Sequence, residues 1–307
     1  MTPEEILSIR PRCLSERQRE SYFQDGFLLL EEFISAEWLE RLRASTRQLV
    51  EASRVITKSD SVFDLEPDHS AANPRLRRVS SPVDHDPVFW DYAAKSQLGD
   101  IVADLVGPAV KYHQSKLNFK WAKGGAEVKW HYDISFWPHT NYSPLTVGTY
   151  LYDCEMDQGP VGFLPGSHRW KMPSQYDESG RWTGCLSEAD VAALDVGAAR
   201  YMVGPAGSLT LHNCRTIHGS PANTSDKGRP LLLYVMTSGD AFPYTANPIP
   251  SARYDGAMLR GVRPRTAHID PTPCEIPPDW SHGYTSIFAL QQQEELDVRG
   301  ETAGAAM

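Results

Sequence analysis

Between Lys116 and Thr237 the chain carries six short apolar runs: Lys116–Trp121, Glu127–Asp133, Thr146–Cys154, Ala199–Val203, Ser208–Asn213 and Leu231–Thr237. Glycine and proline break them at GGA, QGPVG, LPGS, GPAG and HGSPAN. Runs this short, with turn residues at each end, pair as strands and leave no room for helices. They predict an all-β barrel or sandwich with helices applied outside it.

The helices are expected upstream. Glu16–Phe23 reads as a short helix, and FLLLEEF (Phe27–Phe33) as a strand entered through Asp25 and Gly26. Ser35 is placed to cap a helix from about Ala36 to Val50, because its hydroxyl can accept from a first-turn N–H. Thr57–Arg77 has few periodic cues and reads as a loop. Asp91–Val106 reads as one amphipathic helix with Ala94, Leu98, Ile101, Val102 and Leu105 on its apolar face. Gln175–Gly197 is mostly polar and is expected to cross the barrel mouth. The Pro- and Tyr-rich tail after Ala241 is expected to wrap the body. No repeat or low-complexity linker divides the chain, so residues 1–307 read as one domain. Within it, N-terminal helices span about 15–107, a β core about 110–240 and the wrapping tail 241–307.

Composition narrows the function. A net charge of -9 argues against nucleic-acid binding, which needs concentrated Lys and Arg. No stretch approaches the ~20 apolar residues that cross a bilayer. Five scattered cysteines without a CxxC fit reduced thiols better than a disulfide framework. The expectation is a cytoplasmic enzyme on a small-molecule substrate, monomeric or homodimeric, with neither nucleic acid nor membrane as partner.

Its chemistry centres on VKWHYDISFW (Val128–Trp137). In a strand, residues two apart share a face, so His131 and Asp133 can take adjacent positions on one metal ion. A third ligand has to come from elsewhere, and LTLHNCRTIHGSPANTSDKGRP offers His212 and His218. His212 lies inside an apolar strand and reads as a core or supporting residue. His218 opens His218-Gly219-Ser220, whose small residues leave room for a substrate. Two histidines and one carboxylate leave positions open on Fe(II), and the same set on zinc would be hydrolytic. Arg229, eleven residues past His218, favours iron: its fork of donors suits the carboxylate of a small diacid, with Ser220 adding a hydroxyl.

The ordered set FQDGFLLLEEFIS, HQSKLN, KWHYDISFW, VGFLPGSHR and HGSPANTSDKGR resembles the phytanoyl-CoA dioxygenase family of Fe(II)/2-oxoglutarate oxygenases, nearest in motif to its ectoine hydroxylase branch. The resemblance implies a mainly β fold with flanking helices, a double-stranded β-helix or jelly-roll barrel of the cupin type. It implies Fe(II), 2-oxoglutarate and O2, with His131, Asp133 and His218 as metal ligands and catalytic centre. Arg229, Ser220 and Asn118 match cosubstrate-binding positions, and Gln114 and Trp137 match positions near the substrate. Departures are the ISFWPHTNY stretch after the ligand pair and Lys116, where the ectoine enzymes usually carry arginine. The ectoine substrate therefore does not transfer.

The function expected is hydroxylation of an unactivated C–H in a free amino acid, small acid or secondary-metabolite intermediate, with release of succinate and CO2. Family members that halogenate lack the metal carboxylate, whereas Asp133 is present here. A zinc-dependent cupin-type hydrolase and a non-catalytic small-molecule binding protein are the alternatives. His168, in PGSHRW, reads as structural at a turn.

Overall fold

A computed structural model describes residues 1–282, 284 and 286–291. In chain order the elements are α1 (Pro3–Ser8), α2 (Glu16–Asp25), β1 (Phe27–Leu30), α3 (Ala36–Ala52), β2 (Phe63–Leu65), β3 (Leu76–Ser80), α4 (Pro87–Lys95) and α5 (Leu98–Val106). They continue as β4 (Val110–Lys120), β5 (Val128–His131), β6 (Leu145–Tyr150), β7 (Gly162–Phe163), α6 (Glu188–Ala193), β8 (Arg200–Tyr201), β9 (Leu209–Asn213), β10 (His218–Ser220), β11 (Arg229–Ser238), β12 (Met258–Arg260) and α7 (Ile287–Gln291).

The strands form two antiparallel sheets. The larger runs β1-β9-β6-β11-β4-β3-β2 with β12 added on β4, and the smaller runs β5-β10-β7-β8. This corrects the barrel that the resemblance implied. Both sheets are open, and among the described residues no ladder joins an edge of one to an edge of the other. The strands of the smaller sheet are two to four residues long. Each supplies too few backbone groups to wrap around and close on the larger sheet, and closure is what would abolish the edges.

Period-two alternation divides the larger sheet into two faces. Leu117 and Phe119 of β4, Leu145 and Val147 of β6, Leu209 and Leu211 of β9, and Leu232, Tyr234 and Met236 of β11 turn outward into one core. Against them pack Leu39, Leu42 and Leu49 of α3, Phe89 and Tyr92 of α4, and Ile101, Val102 and Leu105 of α5. A fully buried Leu or Phe here contributes about 1.5–3 kcal/mol, so this contact anchors the helices. The opposite face of the same strands carries Lys116, Asn118, Lys120, Thr146, Thr210, His212 and Arg229 toward a cavity shared with the smaller sheet.

Local chemistry sets the boundaries. Ser35 Oγ accepts from Trp38 N at 3.3 Å and starts α3 as expected. The single helix expected over Asp91–Val106 is two, α4 and α5. Ser96 ends the first by donating its hydroxyl to Tyr92 O, and it accepts from Leu98 N to begin the second. The loop expected over Thr57–Arg77 holds β2 and the start of β3. The strand expected to reach Phe33 stops at Leu30, where a turn begins with Glu32 at φ 46°. Gly26 ends α2 at φ 87°, and a Cβ there would lie 2.4 Å from His168 Nδ1. His168 in turn reaches Phe23 O at 3.1 Å, which is the structural place expected for it.

A second core gathers Tyr132, Phe136, Trp137, Leu164, Trp182, Leu186 and Trp280. The stretch expected to cross the barrel mouth supplies Trp182 and Leu186 to it. The tail returns to the body through β12 on β4 and through Trp280, whose indole N–H donates to Phe136 O at 2.8 Å. The part of the expected tail beyond 291 lies outside the described residues.

Candidate metal centre

His131 ends β5 and His218 begins β10, and the two residues are direct partners across the ladder. Their rings lie 4.1 Å apart between centroids. Gly219 permits this approach, since a Cβ there would sit 3.1 Å from Val128 O of the neighbouring strand. Its small size therefore accommodates β5 as well as bordering the cavity. Asp133 lies just past the end of β5, so strand alternation does not place it. Its backbone N–H donates to Cys214 O at 2.9 Å, and that contact folds its carboxylate back toward the histidines.

Asp133 Oδ1 stands 3.9 Å from Nε2 of His131 and 3.9 Å from Nε2 of His218. The three donor atoms lie within 4.8 Å of one another, and all three residues are buried. Each imidazole is oriented from behind. His131 Nδ1 faces Lys129 O at 2.8 Å, and His218 Nδ1 faces Thr216 O at 2.9 Å. A carbonyl only accepts, so each Nδ1 carries the proton and each Nε2 turns a lone pair to the centre. Burial pulls His131 down to about 4 and His218 well below its usual value, keeping both rings neutral. The carboxylate is held on its other oxygen: Oδ2 accepts from Thr146 Oγ1 at 2.8 Å and from His212 Nε2 at 3.2 Å. Burial alone would raise the Asp133 carboxyl. The hydrogen bond from His212 and the positive charge of its surroundings outweigh burial and hold it well below the usual range. Two neutral nitrogens and one anionic oxygen make a donor set suited to Fe(II). His212 is the support the sequence reading made it.

The cavity encloses about 620 Å³ of free space, its open mouth included. At one end Arg229 and Lys120 are direct cross-strand partners. Arg229 donates Nη2–H to Gly159 O at 2.9 Å, and its buried Nε has no partner among the described residues. Lys120 Nζ donates to Ser220 Oγ at 2.7 Å and to the carbonyls of Ser220 and Pro221. Burial, reinforced by the Arg229 charge, pulls the Lys120 ammonium down to about 6. Asn118 and half-buried Lys116 lie further along β4, and Asn118 Oδ1 accepts from Arg78 Nε at 3.1 Å. Ile287 and Phe288 of α7 complete the wall. Gln291 of that helix accepts from Lys129 N at 2.8 Å and donates to Gly184 O at 2.9 Å.

Six of the eight residues read from the sequence, His131, Asp133, His218, Arg229, Ser220 and Asn118, line this one cavity. Gln114 and Trp137 are buried but do not line it. Sequence reasoning missed Lys120, Thr146 and Arg78. Lys120 was within reach, because polar residues at 116, 118 and 120 alternate with Leu117 and Phe119 in a single strand.

Residues 22–231 match the phytanoyl-CoA dioxygenase family. The chain belongs to that family. It is a Fe(II)- and 2-oxoglutarate-dependent dioxygenase acting on a small molecule, and it carries a His-His-Asp metal-binding triad. The zinc-hydrolase and non-catalytic readings give way to this one. A relative from Stutzerimonas stutzeri, described as a probable alpha-ketoglutarate-dependent hypophosphite dioxygenase, is 32% identical over 231 residues, covering 75% of this chain and 80% of its own. An ectoine dioxygenase from Stutzerimonas stutzeri (strain A1501) is 28% identical over 235 residues, covering 72% and 76%. The crystal structure of EctD from S. alaskensis with 2-oxoglutarate and 5-hydroxyectoine superposes with a TM-score of 0.64 at 22% identity, covering 87% of this chain and 92% of that one. Among the described residues of this family member, no helix is long and apolar enough to cross a membrane.

Proposed function

We propose that His131, Asp133 and His218 hold Fe(II), that 2-oxoglutarate is the cosubstrate and that residues 1–307 act as a single catalytic domain hydroxylating a small molecule. The supporting observation is the convergence of two Nε2 lone pairs and Asp133 Oδ1 at the wall of a cavity whose end is cationic. When bound, the iron and its cosubstrate supply the oxidising power for breaking an unactivated C–H, with O2 as oxidant and succinate and CO2 as coproducts.

The chain's own residues supply position. Arg229 is buried with a free Nε and offers a charge-assisted clamp for the far carboxylate of the cosubstrate. Lys120 donates to Ser220 Oγ, so the Ser220 proton points onward and can be given to the same carboxylate. Asn118 receives Arg78 on its oxygen, which leaves its NH2 to donate to the cosubstrate. Gln114 follows Lys116 on the same face of β4 with an unpartnered Oε1, so we place the substrate along that face, with Trp137 packed behind it. Ile287 and Phe288 keep water from the reacting end.

Anaerobic addition of Fe(II) and 2-oxoglutarate tests this. A weak visible charge-transfer band that requires both is expected. Its absence in folded protein would end the reading.

A further inference from the structure

Opposite Asn118 in the ladder stands Arg78 of β3. Directly opposed residues project from the same face of a sheet, so Arg78 shares the face that borders the cavity, one step behind Asn118 and not itself in the lining. It is fully buried, at 0% exposure. Its Nε is used by Asn118, but among the described residues Nη1 and Nη2 have no hydrogen-bond partner. Tyr284 covers it, ring centroid to guanidinium 5.5 Å. Asp64, its ladder partner on the other side, pairs instead with Arg77 at 3.1 Å. Lys116, two residues from Asn118, lines the cavity, and the acid whose charge it feels is Asp133.

A buried cation without a counter-charge is costly, and one guanidinium with two idle nitrogens leaves its strongest bonding geometry unused. The reading above does not relieve this. Fe(II) and Asp133 leave one net positive charge, a dianionic cosubstrate reverses it, and Arg229 restores neutrality. Lys120 is committed to Ser220 and Pro221. Asp133 is the one acid among the residues lining the cavity, so once it serves the metal no lining acid is left to balance Arg78 and Lys116.

We propose that Arg78 and Lys116 form an anion subsite for the primary substrate, which carries a compact oxyanion head such as a carboxylate or a phosphonate. The proposal rests on the functional reading above and adds the substrate class. Arg78 meets the head with its two free nitrogens, Lys116 adds a point charge, and the carbon to be oxidised hangs toward the centre.

The test uses anaerobic holoprotein with its Fe(II)–2-oxoglutarate band formed, titrated with methylphosphonate and acetate, and with neutral acetamide as control. Both oxyanions are expected to shift the band saturably, and acetamide to leave it unmoved. Lys116→Met and Arg78→Met are each expected to weaken the oxyanion response tenfold or more, Lys116→Met with Fe(II) and 2-oxoglutarate affinities within twofold of the parent, and Arg78→Met with a smaller loss of 2-oxoglutarate affinity because it also releases Asn118 Oδ1. Lys116→Arg, which keeps the charge, is expected to retain the response, and half-buried Lys116 guards against a folding defect at Arg78. Equal shifts by acetamide, no shift by either oxyanion, or a Lys116→Met that weakens 2-oxoglutarate as much as the oxyanions would overturn the subsite while leaving the iron reading standing. Failure to form the band at all would remove both.

Discussion

Thr146 donates its hydroxyl to Asp133 Oδ2 at 2.8 Å, from a strand of the larger sheet to a residue just past a strand of the smaller one. The bond leaves Oδ1 as the oxygen facing His131 and His218. Removing such an outer partner typically costs 10–100-fold in metal affinity. Thr146→Val, which keeps the shape, is therefore expected to weaken Fe(II) binding about tenfold with little change in stability. Equilibrium titration followed by metal-dependent turnover checks it.

His131→Ala is expected to abolish Fe(II) binding and turnover together. Substrate oxidation retained by the metal-reconstituted variant would show that His131 is not a ligand.

Arg229→Ala should leave iron binding intact and raise the 2-oxoglutarate requirement. A lost charge-assisted clamp is worth about 2–3 kcal/mol, which is roughly a hundredfold in KM. Lys120→Met keeps the aliphatic stem but releases Ser220 Oγ, so a smaller, roughly tenfold rise is expected. Succinate release measured against 2-oxoglutarate concentration separates the two. Unchanged dependence in the arginine variant would remove Arg229 from the site.

Away from the centre, His139 is buried beside His113, their ring centroids 4.8 Å apart. Burial pulls His139 down to about 4, opposed by the hydrogen bond to Trp137 O. The unfolded chain takes up this proton below about pH 6.5, while the folded protein does not do so until about pH 4. Stability from this group is thus complete above pH 6.5 and is lost as pH falls to 4, by about 3 kcal/mol. Urea unfolding of metal-free protein should show the decline, and His139→Gln should flatten its slope. A variant with the parent slope would assign the titration elsewhere.

The ligand set was legible because its chemistry is local: HxD and HGS are short motifs, and Arg229 follows at a fixed distance. That the stretch from about 110 to 240 is built of short strands was legible too, since turn residues and alternation read the same in any sheet, but the helices around it are as extensive as the strands. Whether the sheets close was not, because closure depends on which distant edges pair, and Val128–His131 looks alike at an edge or in a barrel. Arg78 escaped notice for a similar reason. In sequence it is one of two adjacent arginines in an apparent loop, and only pairing with β4 sets it beside Asn118. The break at Ser96 interrupts no apolar face, so periodicity ran through it. Asp133 came out in the right place by a partly wrong route, since a contact with Cys214, and not strand alternation, aims it.

The family match stops at residue 231, yet Ile287 and Phe288 form part of the cavity wall, and Gln291 ties their helix to the strand that ends in His131. One wall of the cavity is thus supplied by a length of chain beyond the family match. A designer wishing to redirect the enzyme would begin at those two side chains, leaving untouched everything that handles oxygen.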